Sequence, residues 1–200
     1  RFTPRKSGLR SRAGWGCGFN SDRKENREMN ITELLNDKGL KPKEKTEALS
    51  AALLNQSLSV ADLLVSAGKA KDPLKATCIE ALEFATKQNP ALATLECLQF
   101  ASISLKAKAP RVKWESAKVI GNIAHLFPDH LEEAIGNLLS NSEHEGTVVR
   151  WSAAFALGEI YKIKTPHNAE LLPAFEAICA REEKGSIQKI YRDALKKAGK

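Results

Sequence analysis

The residues able to do chemistry in this chain are histidines, tandem carboxylates and cysteines, and their spacing works against each use. His125 and His130 in HLFPDH stand five residues apart across a helix break, whereas a helical zinc site needs two histidines four apart on one face. Glu143, His144 and Glu145 in SEHEG could offer a metal two carboxylates and an imidazole, but they fall in a loop before a helix start. A solvated turn is the simpler reading there. Glu132-Glu133 and Glu182-Glu183 point to different helix sides and make no acid and base pair by spacing alone. Cys17, Cys78, Cys97 and Cys179 form no Cys-x-x-Cys pair and have no His at a zinc-ligand interval. No Gly-x-Ser-x-Gly elbow, phosphate-cradling Walker loop or dinucleotide fingerprint is present, and no nucleophile has an evident base. The expectation is a protein that is not an enzyme and uses no cofactor or metal.

Binding chemistry remains. The net charge of +7 suggests a nucleic-acid partner until its distribution is read. Residues 1–28 carry +5 and residues 181–200 carry +4, which leaves −2 on the 152 residues between them. The body therefore has no sequence-wide field for phosphate, and nucleic acid ranks behind protein as a partner. Three cysteines lie in apolar helical contexts, where a thiol behaves as a small hydrophobe, so a reducing cytoplasm is expected. No apolar run approaches the roughly 18 to 20 residues of a membrane span, and no leader pattern occurs. The protein is expected to be soluble and unexported, with no membrane partner and no small-molecule substrate.

The elements that must position any binding residues begin after Met29. Residues 1–28 are rich in Arg, Gly and Ser, lack a helical period and precede the only methionine. So short a polar stretch cannot offset its own ordering entropy, and it is read as an extraneous or upstream-translated extension to a domain at 29–200. The functional alternative is a basic arm with Trp15 and Phe19 available for stacking. From Asn30 onward, a capping residue precedes Ile31, Leu34 and Leu35 on one helix side.

Prolines then mark a period. Pro73 and Pro110, 37 residues apart, each stand at the start of an amphipathic helix, and Pro90, Pro128 and Pro166 recur at intervals of 38. Two helices per 37 or 38 residues is the mark of an α-solenoid. The first helices carry core stripes at Leu74, Cys78, Ala81, Leu82 and Ala85, at Val112, Ser116, Val119, Ile120 and Ile123, and at Val149, Ala153, Ala156, Leu157 and Ile160. The second helices place Leu92, Leu95, Leu98 and Ile103, then Leu131, Ala134, Ile135, Leu138 and Leu139, then Leu171, Leu172, Phe175 and Ile178 on their apolar stripes. No segment alternates with the period of a strand.

VVRWSAAFALGEI at 148–160 and VKWESAKVIGNI at 112–123 resemble the V-R-x-x-A-A-x-A-L-G-x-I helix of HEAT repeats, and AELLPAFEAI is similar to the companion helix with an early proline. The resemblance covers roughly residues 42–198 and implies a right-handed, all-α solenoid of about four HEAT-like hairpins plus a terminal helix. It also implies a surface that binds proteins, less often nucleic acids, and rarely catalyses.

In such a helix Val149 faces the core while Trp151, Ser152, Phe155 and Glu159 fall on the other side, and Trp114 takes the same place one repeat earlier. Stacked helices about 8 to 10 Å apart would make Trp114 and Trp151 neighbours, with Phe155 one turn along, as a contact patch or as packing between repeats. Lys113 and Arg150 beside them read as rungs of a structural ladder rather than phosphate ligands. The second helices, which usually line the concave side of a solenoid, offer Asp62, Glu96, Asp129, Glu132, Glu133, Glu170 and Glu176 with few cations before Arg181. A basic peptide suits that face better than DNA.

The expected function is a non-enzymatic protein-binding scaffold or adaptor, contacting its partner through Trp114, Trp151, Phe155, Glu132, Glu133 and Glu170. The alternative is a DNA-binding or repair protein similar to the HEAT-like alkylpurine DNA glycosylases, whose aromatic residues and Asp lie in a basic channel. The tryptophans on first helices, the acidic second helices and the nearly neutral body depart from that pattern. A chain starting at Met29 is expected to show no tight, salt-sensitive affinity for duplex DNA in titrations at low and raised salt. Steep loss of such binding with salt would instead mark phosphate neutralisation and favour the repair reading.

Overall fold

The computed structural model describes residues 30–198. The proposed extension at 1–28 and the start at Met29 lie outside the described residues. Ten α-helices follow one another there, with three short 3-10 turns and no strand among the described residues. They are α1 Ile31–Asn36, α2 Pro42–Leu54, α3 Val60–Lys69, α4 Asp72–Gln88, α5 Leu95–Ser104, α6 Pro110–Ile123, α7 Glu132–Asn141, α8 Thr147–Lys162, α9 Asn168–Arg181 and α10 Gly185–Ala198. No helix among the described residues is long and apolar enough to cross a membrane.

Local chemistry sets the starts. Asn30 accepts the Glu33 N–H at 3.2 Å and Ser59 accepts the Asp62 N–H at 3.0 Å, so each caps the helix that follows. Pro42, Pro73 and Pro110 occupy the first turns of α2, α4 and α6, where their missing N–H costs nothing. The second proline series behaves differently from the expectation. Pro90 and Pro128 open 3-10 turns, and α5 and α7 begin four or five residues later. Leu92 and Leu131 consequently lie outside those helices, although Leu131 is still fully buried.

The long helices α2, α4, α6, α8 and α10 pack side by side in one layer, and α3, α5 and α7 pack in sequence in the other. Between the layers lie Leu49, Leu53, Ile79, Leu82, Leu98, Ile120, Leu138 and Leu157, all essentially buried. The array closes on an aromatic group: Phe175 stands 5.0 Å from Tyr161 and 4.7 Å, edge-on, from Tyr191. Three expected core or surface positions are corrected. Ile103 and Leu172 are 58% and 42% exposed, because each lies past the buried edge of its helix. Ser152, expected on the outer side, is buried and donates to the Val149 carbonyl at 2.9 Å, which satisfies its hydroxyl within the helix.

The phase of the repeat is a further finding. Each short helix packs more closely on the long helix after it than on the one before, as α5 does on α6 and α7 on α8. The tight hairpin is short-then-long, one helix out of step with the unit that the proline spacing suggests. Basic side chains fasten it. Lys45 Nζ donates to the Leu35 carbonyl at 2.6 Å, Lys113 Nζ to the Leu105 carbonyl at 3.1 Å, and Arg150 to the carbonyls of His144 and Glu145 at 3.0 and 2.9 Å. In α10 the same place belongs to Gln188, which donates to the carbonyls of Cys179 and Glu182. Each group answers carbonyls that the end of a short helix leaves open. In α4, Lys75 turns instead to the face of the Phe100 ring, 5.1 Å from its centroid.

Lys113 and Arg150 also reach the next repeat. Lys113 donates to Asn141 Oδ1 at 2.8 Å, and Arg150 pairs with Glu182 at 2.8 Å. The Arg150 guanidinium, through its hydrogen bond, holds the Glu182 carboxyl below its ordinary range. The two cations are thus rungs of a ladder, as their repetition suggests. Lys113→Met is expected to cost about 1 to 2 kcal/mol, read in thermal unfolding as a melting temperature lower by about 4 °C.

Candidate functional site

The outward side of the long-helix layer carries the aromatic and charged residues that repeat without being core. On α8, Trp151 and Phe155 are one turn apart, and their rings stack at 6.0 Å with an interplanar angle of 3°. Phe155 reaches across to α6, where Gly121 leaves room for it. A Cβ on Gly121 would come within 2.4 Å of the ring, so this glycine is required by close approach. Phe155 therefore mends the seam between two repeats, while Trp151 lies on it and remains 41% exposed.

Trp114 has a different role from its counterpart. It is half-buried, and its indole N–H donates to Glu115 Oε1 at 2.7 Å. No ring pair joins Trp114 to Trp151, so the expected tryptophan neighbours share the face without stacking.

The centre of this face is a charged cluster between α4 and α6. Lys118 Nζ stands 2.9 Å from Glu115 Oε2 and 3.3 Å from Glu83 Oε2, and it lies 6.0 Å from the centroid of the Phe84 ring. Glu83 and Glu115 are almost wholly buried. Although the Glu83 oxygen is within ion-pair range, it receives no hydrogen bond, so the attraction there is Coulombic and unaligned. Desolvation raises the Glu83 pKa, against the partial relief given by Lys118. Burial also opposes the charge on Lys118, but the hydrogen bond and charge of Glu115 and the charge of Glu83 outweigh it and hold the ammonium above its ordinary value. Glu80 adds a third carboxylate, accepting from Thr46 of α2 at 2.9 Å and from Arg111 of α6 at 2.7 Å.

The acidic residues expected on the second helices lie on the short helices, apart from the aromatic face. Glu132 and Glu133 occupy the first turn of α7 and Glu170 the first turn of α9, all exposed in the short helices and not joined to the aromatic face. Asp62 and Glu96 hold the same position in α3 and α5. Carboxylates there complement the positive end of the helix dipole, and Glu133 is further engaged by Lys106 at 2.9 Å. Glu143 pairs with Arg181 at 2.9 Å, and His144 Nδ1 accepts the Gly146 N–H at 2.9 Å, so SEHEG is organised as a turn. Sequence reasoning missed Glu83, Phe84, Glu115 and Lys118. The signal was present as charge directly beside the core stripes of α4 and α6.

With this geometry, the chain is an α-solenoid of the HEAT/armadillo type. No family model and no curated protein matches it. Among solved structures it is similar to a designed armadillo repeat protein in complex with the peptide (KR)4, with a TM-score of 0.66 and 18% identity over 84% of this chain and 80% of that one. It is also similar to the complex of CpcE and CpcF of phycocyanin lyase from Nostoc sp. PCC7120, with a TM-score of 0.63 and 19% identity over 82% of this chain and 97% of that one. A computationally designed armadillo repeat protein for modular peptide recognition gives 0.64 and 18%, over 84% of this chain and 80% of that one.

The two buried carboxylates should respond differently to neutralisation. Glu115 accepts two strong hydrogen bonds, so Glu115→Gln is expected to cost about 1 to 3 kcal/mol in urea unfolding. Glu83 has a raised pKa, so its contribution is fully present below its ordinary value of 4.5 and is lost as pH rises through the folded value. Wild type should therefore lose ground against Glu83→Gln between acid and neutral pH, measured as urea midpoints of both proteins.

Proposed function

We propose that the chain is a non-enzymatic scaffold or adaptor that holds a basic stretch of a protein partner on its long-helix face. The observation that carries this reading is the stacked Trp151–Phe155 pair, left 41% exposed at Trp151. An indole whose neighbour is locked in a seam loses little entropy on contact, and its π-face attracts Lys or Arg side chains. Phe84, 36% exposed on α4, extends the aromatic surface across the adjoining helix.

The similarity to a designed solenoid holding (KR)4 supports a basic peptide as the ligand class. A glycosylase-like reading would need a basic channel, and the cations Arg111 and Lys118 of this face are already paired with carboxylates. Fluorescence anisotropy with labelled (KR)4 and the full chain tests the proposal. Trp151→Ala is expected to weaken binding by about tenfold or more, as a partly exposed aromatic hot spot does, with little change in melting temperature. Lower stability with unchanged affinity would make the indole a packing residue only.

A further inference from the structure

Amide-to-carbonyl bonds stitch one seam of the short-helix layer and, among the described residues, are missing from the next. Between α5 and α7, Asn137 Nδ2 donates to the Ser102 carbonyl at 2.9 Å, and Asn141 Nδ2 donates to the Leu105 carbonyl at 3.1 Å. Aligning the buried Leu131, Ile135 and Leu138 with the buried Leu171, Phe175 and Ile178 puts Ala177 in the place of Asn137 and Arg181 in that of Asn141. Alanine has no amide to donate. Arg181 instead spans the rim of the seam to the end of α7, donating to Ser142 Oγ at 3.4 Å and pairing with Glu143 at 2.9 Å.

The seam between α7 and α9 consequently opens into two adjoining cavities of about 490 and 200 Å³, which share Ser142, Glu143, Ile178 and Arg181. The smaller is floored by Leu139, Ala174, Ala177 and Ile178, an apolar surface with room for an aliphatic side chain. The larger is lined by four carboxylates against two guanidinium groups. Arg150 is paired with Glu182 and Arg181 with Glu143, which leaves Glu145 and Glu183 on the two facing loops without an ion pair among the described residues.

We propose that this cleft is a second docking site, separate from the long-helix face, for a short peptide segment in which a Lys or Arg adjoins an aliphatic residue. The aliphatic side chain enters the smaller cavity, and the cation lies between Glu145 and Glu183. Charge complementarity selects a basic rather than an acidic segment, and the missing asparagine is what admits it.

The test uses the full chain and a fluorescein-labelled hexapeptide of alternating Lys and Leu. Ala177→Asn restores the stitching amide, and the double variant Glu145→Gln/Glu183→Gln removes the unpaired charges. Each is expected to weaken the peptide about tenfold, whereas Trp151→Ala on the other layer leaves its affinity unchanged. All these positions are exposed at the surface, so melting temperatures should stay at the wild-type value and confirm that the variants are folded. No measurable binding by wild type, unchanged affinity in either cleft variant, or an equal loss in Trp151→Ala would overturn the proposal. Loss of (KR)4 binding in Trp151→Ala bears only on the long-helix face, so the two sites succeed or fail separately.

Discussion

The architecture depends on closing the carbonyl ends of its short helices. An α-helix leaves its last carbonyls without internal partners, and here the side chain near the start of the following long helix supplies the donor. Lys45, Lys113, Arg150 and Gln188 do so in different repeats. Because each contact spans only a short loop, it fixes the angle at which the chain re-enters the long-helix layer. Asn141 and Glu182 then tie the same cations to the next repeat. Register is therefore specified by polar groups at the rim, while the apolar layer between the helices supplies the bulk of the stabilisation.

That division frees the outward side of the long helices. Since the core stripe and the rim cation take only part of the circumference, residues such as Trp151 and Phe84 can vary in character without disturbing the stack. The buried cluster of Glu83, Glu115 and Lys118 occupies the groove between α4 and α6 in place of apolar packing. Such a group contributes less to stability than to holding two helices in one register, since a buried carboxylate must be partnered once it is there. Phe155 and Gly121 perform the corresponding service between α6 and α8 by shape instead of charge.

Much of the fold was legible because the helical stripes are regular. The core positions of α6 and α8, the Asn30 cap and the proline starts of α4 and α6 all follow from period and local chemistry. The phase of the repeat was not legible, because prolines mark where a helix can begin and say nothing of which neighbour it packs against. Ser152 was misplaced because a serine can satisfy its own hydroxyl inside a helix and so pass as an apolar residue. At the candidate site, Trp151 and Phe155 were identifiable from their one-turn spacing. The cluster around Lys118 was not, since its pairing joins residues 83 and 118 across two helices. The acidic residues of the short helices stand where the repeat placed them, in first turns where they also complement the helix start.

The unequal seams also give the array an uneven stiffness. Amide-to-carbonyl hydrogen bonds running across α5 and α7 resist sliding and splaying there, whereas between α7 and α9 Ala177 offers none and Arg181 bridges only at the rim. On the opposite layer, α8 and α10 stay in contact and the Tyr161, Phe175 and Tyr191 rings clasp the last three helices. Resistance to splaying at that joint therefore falls to the Arg181 bridge and the aromatic clasp instead of a row of amides.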